Sequence, residues 1–169
     1  GLARKKKRRS LFDDDVDLDA EEAKLAPAED DTILEEPVEG ELDIGDSNYW
    51  VEQGKILWYA SSDPEEDFQD IVERFQNAID LDPDNPSAWA SLGSFLKKMG
   101  RLENALDSFE MALRIEPEMV NPLYNKAMVL SSLGKIPEAI EVLDRVLKVQ
   151  PDHQVALKKR TLLKKALDG

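Results

Sequence analysis

The side chains able to do chemistry are few, and their spacing does not suit catalysis. His153 is the single histidine and the chain has no cysteine. A disulfide framework, cysteine-ligated zinc and a Cys–His nucleophile pair are therefore excluded. No Ser-His-Asp constellation, Gly-rich phosphate loop or metal-ligand cluster can be assembled. Carboxylates are plentiful, at 36. General acid–base work, however, needs a pair held in fixed geometry with shifted proton affinity, and these lie in an acidic N-terminal stretch or along helix faces. Asp13-x-Asp15-x-Asp17 opens like a calcium loop. Its sixth position is Leu18 rather than Gly and its twelfth is Lys24 rather than Glu, which excludes an EF-hand. The expectation is a protein that is not an enzyme and takes no cofactor and no metal.

Attraction remains, and charge is sorted along the chain. Residues 1–10 form a basic arm of Arg4, Lys5, Lys6, Lys7, Arg8 and Arg9. Residues 11–46 carry 16 acids against Lys24 alone, and residues 47–169 carry 20 acids against 15 bases. The arm has three functional readings beside that of a plain solubilising run: a nuclear-import signal, a cytoplasmic flank against an anionic membrane surface, and a nonspecific phosphate-binding arm. Ser10 behind it matches a common basic-directed phosphorylation spacing. The lead-in Gly1-Leu2-Ala3 lacks an initiator Met, which favours the membrane reading slightly. The location expected is cytoplasmic, tethered by a segment upstream of Gly1, with a nuclear alternative. Residues 11–46 combine like charge with little apolar surface and read as a disordered tether. That tether opposes nucleic-acid binding.

The elements that position the remaining side chains announce themselves by a period. Trp89-x-x-Leu92-Gly93-x-x-Leu96 is followed by Ala105, Phe109, Ala112 and Pro117. Thirty-four residues on stand Leu123, Lys126, Ala127, Leu130, Ala139, Leu143, Val146 and Pro151. Trp50-x-x-Gln53-Gly54-x-x-Leu57, then Ile71, Phe75, Ala78 and Pro83, make an earlier copy that is five residues longer. Each copy reads as a helix hairpin. Asn85 caps and Pro86 opens one first helix, and Gly100 closes it. Asn121 and Pro122 are expected to start the next, with Gly134 at its end. Second helices show i, i+3, i+4, i+7 apolar stripes, such as Leu102, Ala105, Leu106, Phe109, Ala112 and Leu113. In the long copy, Asp63-Pro64-Glu65-Glu66 has the form of a cap and predicts a second helix one turn longer than its neighbours. Residues 154–167 form a final amphipathic helix, expected to cover the stack with Val155, Leu162, Leu163 and Ala166.

These motifs resemble the tetratricopeptide repeat, whose 34-residue unit and in-phase copies match residues 47–169. Leu57 and Leu96 stand where the family often has Tyr, and Lys126 stands where Leu92 would repeat. The resemblance implies an all-α, right-handed solenoid of three helix-hairpin repeats (47–85, 86–119, 120–153) with a C-terminal capping helix (154–167), preceded by the disordered segment. It implies a concave groove lined by first helices. By phase the groove positions are Asn48, Val51, Lys55 and Trp58, then Ser87, Ala90, Ser94 and Lys97, then Asn121, Tyr124, Asn125 and Met128, with Lys158 on the cap. Asn can pair with a peptide backbone, Tyr and Met give adaptable contact, and lysines favour acidic ligands. Trp58, Tyr59 and Phe68 read as a plug for the long hairpin, with Trp58 on Phe68.

One branch of the family clamps the C-terminal carboxylate of heat-shock chaperones with Lys and Asn, then Asn, then Lys and Arg. Here those positions hold Val51 and Lys55, Ser91, then Asn121 and Asn125. Starting one repeat later they hold Ala90 and Ser94, Asn125, then Val155 and Lys159. Neither register supplies the set, so this ligand is not expected. The expected function is a scaffold binding a short segment or helix of another protein. The alternatives are a groove filled in cis by the chain's own acidic tether, and association of the basic arm with nucleic acid or a membrane surface.

Overall fold

A computed structural model describes residues 43–169, so the basic arm and all but the end of the acidic tether lie outside the described residues. Within them are seven helices and no strand: α1 (Ser47–Ala60), α2 (Phe68–Leu81), α3 (Pro86–Lys98), α4 (Leu102–Ile115), α5 (Val120–Ser132), α6 (Ile136–Val149) and α7 (Gln154–Asp168). Each packs on its chain neighbour, making three hairpins and a final helix. No described helix is long and apolar enough to cross a membrane.

Two contacts set how closely each hairpin closes. A Cβ on Gly54 would stand 2.6 Å from Cε1 of Phe75, and one on Gly93 would stand 2.8 Å from Cε1 of Phe109. Both phenyl rings are fully buried. The glycine is there because the ring of the second helix lies on the backbone of the first. In the third hairpin the corresponding pair is Ala127 and Leu143, both fully buried. A larger residue on one side is matched by a smaller one on the other, so the volume between the helices is conserved.

The turns follow from backbone chemistry. Gly100 and Gly134 take φ of 70° and 76°, the left-handed region that glycine enters without penalty. Arg101 N–H donates to Leu96 O and Gly100 N–H to Lys97 O, with the same pattern from Lys135 to Leu130 and from Gly134 to Ser131. This double bond pattern ends α3 and α5 in a three-residue turn. The first hairpin has no such glycine: α1 ends at Ala60, and its C-cap Ser61 leaves in extended conformation.

The five additional residues of the first hairpin therefore do not lengthen its second helix, contrary to the sequence expectation. α2 has 14 residues, the same as α4 and α6. Asp63 does accept from the N–H groups of Glu65 and Glu66, but it caps an isolated turn. Helix α2 starts anew at Phe68. Trp58 and Phe68 do not stack on each other as a plug; both lean on Phe95 of the next hairpin, with ring centroids 5.3 and 5.4 Å away.

The junctions repeat one seat. Phe95, Val129 and Leu163 lie at equivalent points of α3, α5 and α7, and each is buried against the preceding hairpin. At the first junction a polar network joins three helix ends. Ser47 Oγ donates to Ala78 O (2.8 Å), Asn85 Nδ2 donates to Ser47 Oγ and Asn48 Oδ1 (both 2.9 Å), and Asn85 Oδ1 accepts from Ser87 and Ala88 N–H. One residue thus caps α3 and ties it to α1.

Other start points differ from expectation. Asp43–Asp46, assigned to the tether, form a turn: Asp46 Oδ1 caps α1 at Asn48 N–H, and Trp50 Nε1 donates to Ile44 O at 2.7 Å. Trp89 Nε1 repeats that bond to Pro83 O, at 2.9 Å. Helix α5 begins at Val120 with Met119 at the cap position, so Asn121 is not the cap. Pro122 then sits within the first turn, where its missing N–H costs nothing. The capping face of α7 is carried by buried Ala156 and Leu163, while Leu162 is half exposed at 50% and Ala166 is exposed.

Gly93→Ala adds a methyl group against a ring that cannot move. Overpacking of about 1–3 kcal/mol outweighs the helix preference for alanine of about 1 kcal/mol, so urea denaturation should show net destabilisation. Gly93→Ala with Phe109→Leu, which copies the Ala127–Leu143 pair, should recover most of the loss. Asn85→Ala should cost about 1–2 kcal/mol in the same assay, through its lost cap.

Candidate protein-interaction groove

Helix α1 packs on α3 and α3 touches α5, whereas the second helices α2, α4 and α6 meet one another less. A stack whose first helices lie closer together than its second helices curves toward the first. The first-helix row, continued by α7, is therefore the concave side, and its free faces are the candidate site.

The expected groove residues divide into three groups by burial. Asn48, Ser87, Asn121 and Lys158 are exposed; Lys55, Trp58, Ala90, Ser94, Lys97, Tyr124, Asn125 and Met128 are half-buried. Val51 is only 2% exposed and belongs to the core with Ile71, Phe75 and Ala88, so it cannot meet a ligand. The adjacent helix α3 covers it.

Several members have structural work of their own. Asn48 Oδ1 is engaged by Asn85, Ser94 Oγ donates back to Ala90 O (3.0 Å), and Lys55 Nζ lies 2.8 Å from Glu52. Trp58 stacks on Tyr59 at 5.1 Å and meets Phe95 edge-on, which makes it a wall at one end of the row. Lys97 Nζ donates to Asn125 Oδ1 at 2.8 Å, a direct bridge from α3 to α5 along the row. Tyr124 stacks on His153 at 5.3 Å, and His153 Nδ1 accepts from Ala156 N–H at 3.2 Å. The lone histidine is thus a helix cap that also backs the Tyr124 ring. This bond requires the tautomer with Nδ1 unprotonated.

Leu162, expected to cover the stack, instead joins the candidate groove positions. It stands 34 positions after Met128, in the same register on α7, and it is half exposed. The period itself could have found it. Reading α7 as a cover with one apolar stripe put it on the wrong side.

Charge separates the two rows. Among the first helices and α7, α1 is neutral, α3 carries +2, α5 carries +1 and α7 carries +4. The second helices α2 and α4 carry −2 each and α6 carries −1. Lys126 lies at this boundary, its Nζ 3.1 Å from Glu110 of α4, which accounts for a lysine where Leu92 would repeat. Among the described residues no three His, Asp or Glu side chains gather in a way that could hold a metal ion.

Two family models of the tetratricopeptide repeat match the chain, one over residues 96–163 and one over residues 75–107. The chain belongs to the tetratricopeptide-repeat family. No curated protein matches it in sequence. Among solved structures it is similar to the first tetratricopeptide domain of Spaghetti (RPAP3) bound to the HSP90 peptide SRMEEVD. The TM-score is 0.67 at 17% identity, covering 76% of this chain and 98% of that one. It is also similar to MamA (TM-score 0.67, 20% identity, 75% of this chain and 71% of that one). YrrB, a tetratricopeptide protein with an unusual peptide-binding site, gives a TM-score of 0.59 at 23% identity, over 69% of this chain and 57% of that one. At these identities the likeness is one of fold.

The Lys97–Asn125 bridge should fix the spacing of two of these repeats locally. Lys97→Met should lower the midpoint of thermal unfolding by only a few degrees, since a half-exposed bond from an ammonium group contributes about 1–2 kcal/mol once solvent screening is counted. It should increase amide exchange at the α3–α5 contact, measured by hydrogen–deuterium exchange.

Proposed function

We propose that this protein is an interaction scaffold whose first-helix row holds a short, acid-bearing segment of another protein. The observation that carries this reading is the separation of charge between the rows. The concave row is neutral to positive on every helix while the back is negative on every helix. Complementary potential steers an anionic segment toward the front and away from the back. Tyr124, Met128 and Leu162 give the far half of the row large apolar side chains that are partly or half exposed. The preferred ligand therefore has acidic residues with one or two bulky apolar ones. The peptide bound to the similar RPAP3 domain and the peptide-binding site of YrrB support a binding role of this kind.

Fluorescence anisotropy with the full chain tests the reading. A labelled peptide of alternating Glu and Leu should bind, more weakly at higher salt because the attraction is screened, while its Lys-for-Glu counterpart should not. Lys158→Glu with Lys165→Glu should reduce the affinity several-fold, and Leu162→Asp should reduce it further. Equal binding of both peptides, or of neither, would overturn the reading. Because the chaperone clamp residues are absent, any binding of SRMEEVD should be the same whether its C-terminus is a free carboxylate or an amide.

A further inference from the structure

The back of the solenoid carries a second feature that the groove does not use. A cleft of about 350 Å³ opens where α2, α3 and α4 meet, lined by Phe68, Val72, Leu92, Leu96 and Ser108, with Asn104 and Asp107 at its rim. Leu92 and Leu96 are otherwise buried in the core, and Phe68 and Val72 are half-buried. Ser108 turns its hydroxyl back to Asn104 O, at 3.0 Å, so the wall formed by Ser108, Leu92 and Leu96 offers no unmet hydroxyl, and the polar groups of the hollow are those of exposed Asn104 and Asp107.

The next junction shows why this one is open. Adding 34 to Leu92 and Ser108 gives Lys126 and Val142. There the lysine stem runs across to Glu110 and Val142 is buried at 7%. At the first junction a shorter leucine and a small serine leave the same space unfilled. Phe68, the first residue of α2, lines the cleft at its near end. Arg101 lies over the Phe68 ring at 5.6 Å and 3.8 Å from Glu65, so this cation beside Phe68 already has an anion and a ring. The helices on either side, α2 and α4, carry −2 each.

We propose that this cleft is a second docking site, separate from the groove, for a partner segment that inserts one bulky apolar side chain beside a Lys or Arg. The volume is near the lower end of the range for ligand sites, enough for a phenyl or isobutyl group with part of its backbone. Burial against Phe68, Leu92 and Leu96 supplies affinity. Asp107 pairs with the neighbouring cation and sets the polarity of the ligand. The front and back of the solenoid then accept segments of opposite charge and can be occupied together.

The test uses the full chain and a labelled 12-residue peptide of Ala and Arg with one central Phe. The peptide should bind saturably, and replacement of its Phe by Ala or its Arg by Glu should abolish binding. Ser108→Val places in the cleft the residue that already fills the next junction, and Asp107→Lys reverses an exposed charge, so both variants should fold. Circular dichroism checks that they do. Each should weaken the peptide about tenfold, whereas Leu162→Asp should leave it unchanged. Unaltered affinity in Ser108→Val, displacement by the Glu–Leu peptide of the groove assay, or absence of binding would overturn the proposal. So would a dimer in sedimentation equilibrium that Asp107→Lys dissociates, since a second copy would then be the occupant. Failure of the groove reading alone would leave these outcomes readable, because the two peptides differ in charge and the variants lie on opposite faces.

Discussion

The close approach of two helix backbones, set by a phenyl ring lying on a glycine, is the constraint from which the rest of this structure follows. Gly54 under Phe75 and Gly93 under Phe109 leave no room for a methyl group. Hairpins closed to that distance present their remaining faces at a fixed angle to the next hairpin. The seat filled by Phe95, Val129 and Leu163 is then generated at each step. The substitution of Ala127 and Leu143 for the same pair shows that what is held is a volume, not a residue type. A stack made this way gains stability from neighbours, and it leaves one side of each first helix without a partner.

That leftover side is where function is legible, and charge rather than geometry gives it polarity. Individual surface lysines add little to stability, so their distribution is free to serve recognition. Here the distribution is not mixed: the first-helix row and α7 gather cations while α2, α4 and α6 gather acids. Local bonds add order without closing the row. Lys97 and Asn125 link two helices, and His153 stands behind Tyr124.

Much of the architecture was readable in the sequence because three levels agree. The 34-residue period, the Pro and Gly punctuation around α3, and the apolar stripes of α2, α4 and α6 all specify the same hairpins. The misreadings occur where a local signal competes with a tertiary one. Asp63-Pro64-Glu65-Glu66 has the chemistry of a helix start and makes its side-chain bonds, but Phe68 is drawn to Phe95, and the helix restarts there. Asn121 is a good capping residue in the wrong place, because Met119 occupies the phase that Asn85 and His153 also hold. Val51 has groove phase and is nonetheless covered by its neighbour, a matter of how closely α3 approaches. Leu162 was visible to the period and hidden by an assumed apolar stripe. The cleft at the first junction has a trace in the sequence, Leu92 and Ser108 against Lys126 and Val142, but that the smaller pair leaves a hollow depends on how closely α2, α3 and α4 approach.

The indoles have an uneven placement that bears on how the molecule is observed. Trp50 and Trp89 bond through Nε1 to backbone oxygens, and Trp58 rests on Phe95. All three tryptophans of the chain therefore sit in the first two hairpins, and the third hairpin and α7 have none. Emission from tryptophan reports on the N-terminal half of the solenoid, while far-ultraviolet circular dichroism reports on every helix. The two signals are thus local and global probes of one body, and their coincidence or separation on heating distinguishes a solenoid that melts as a unit from one that loses its halves in turn.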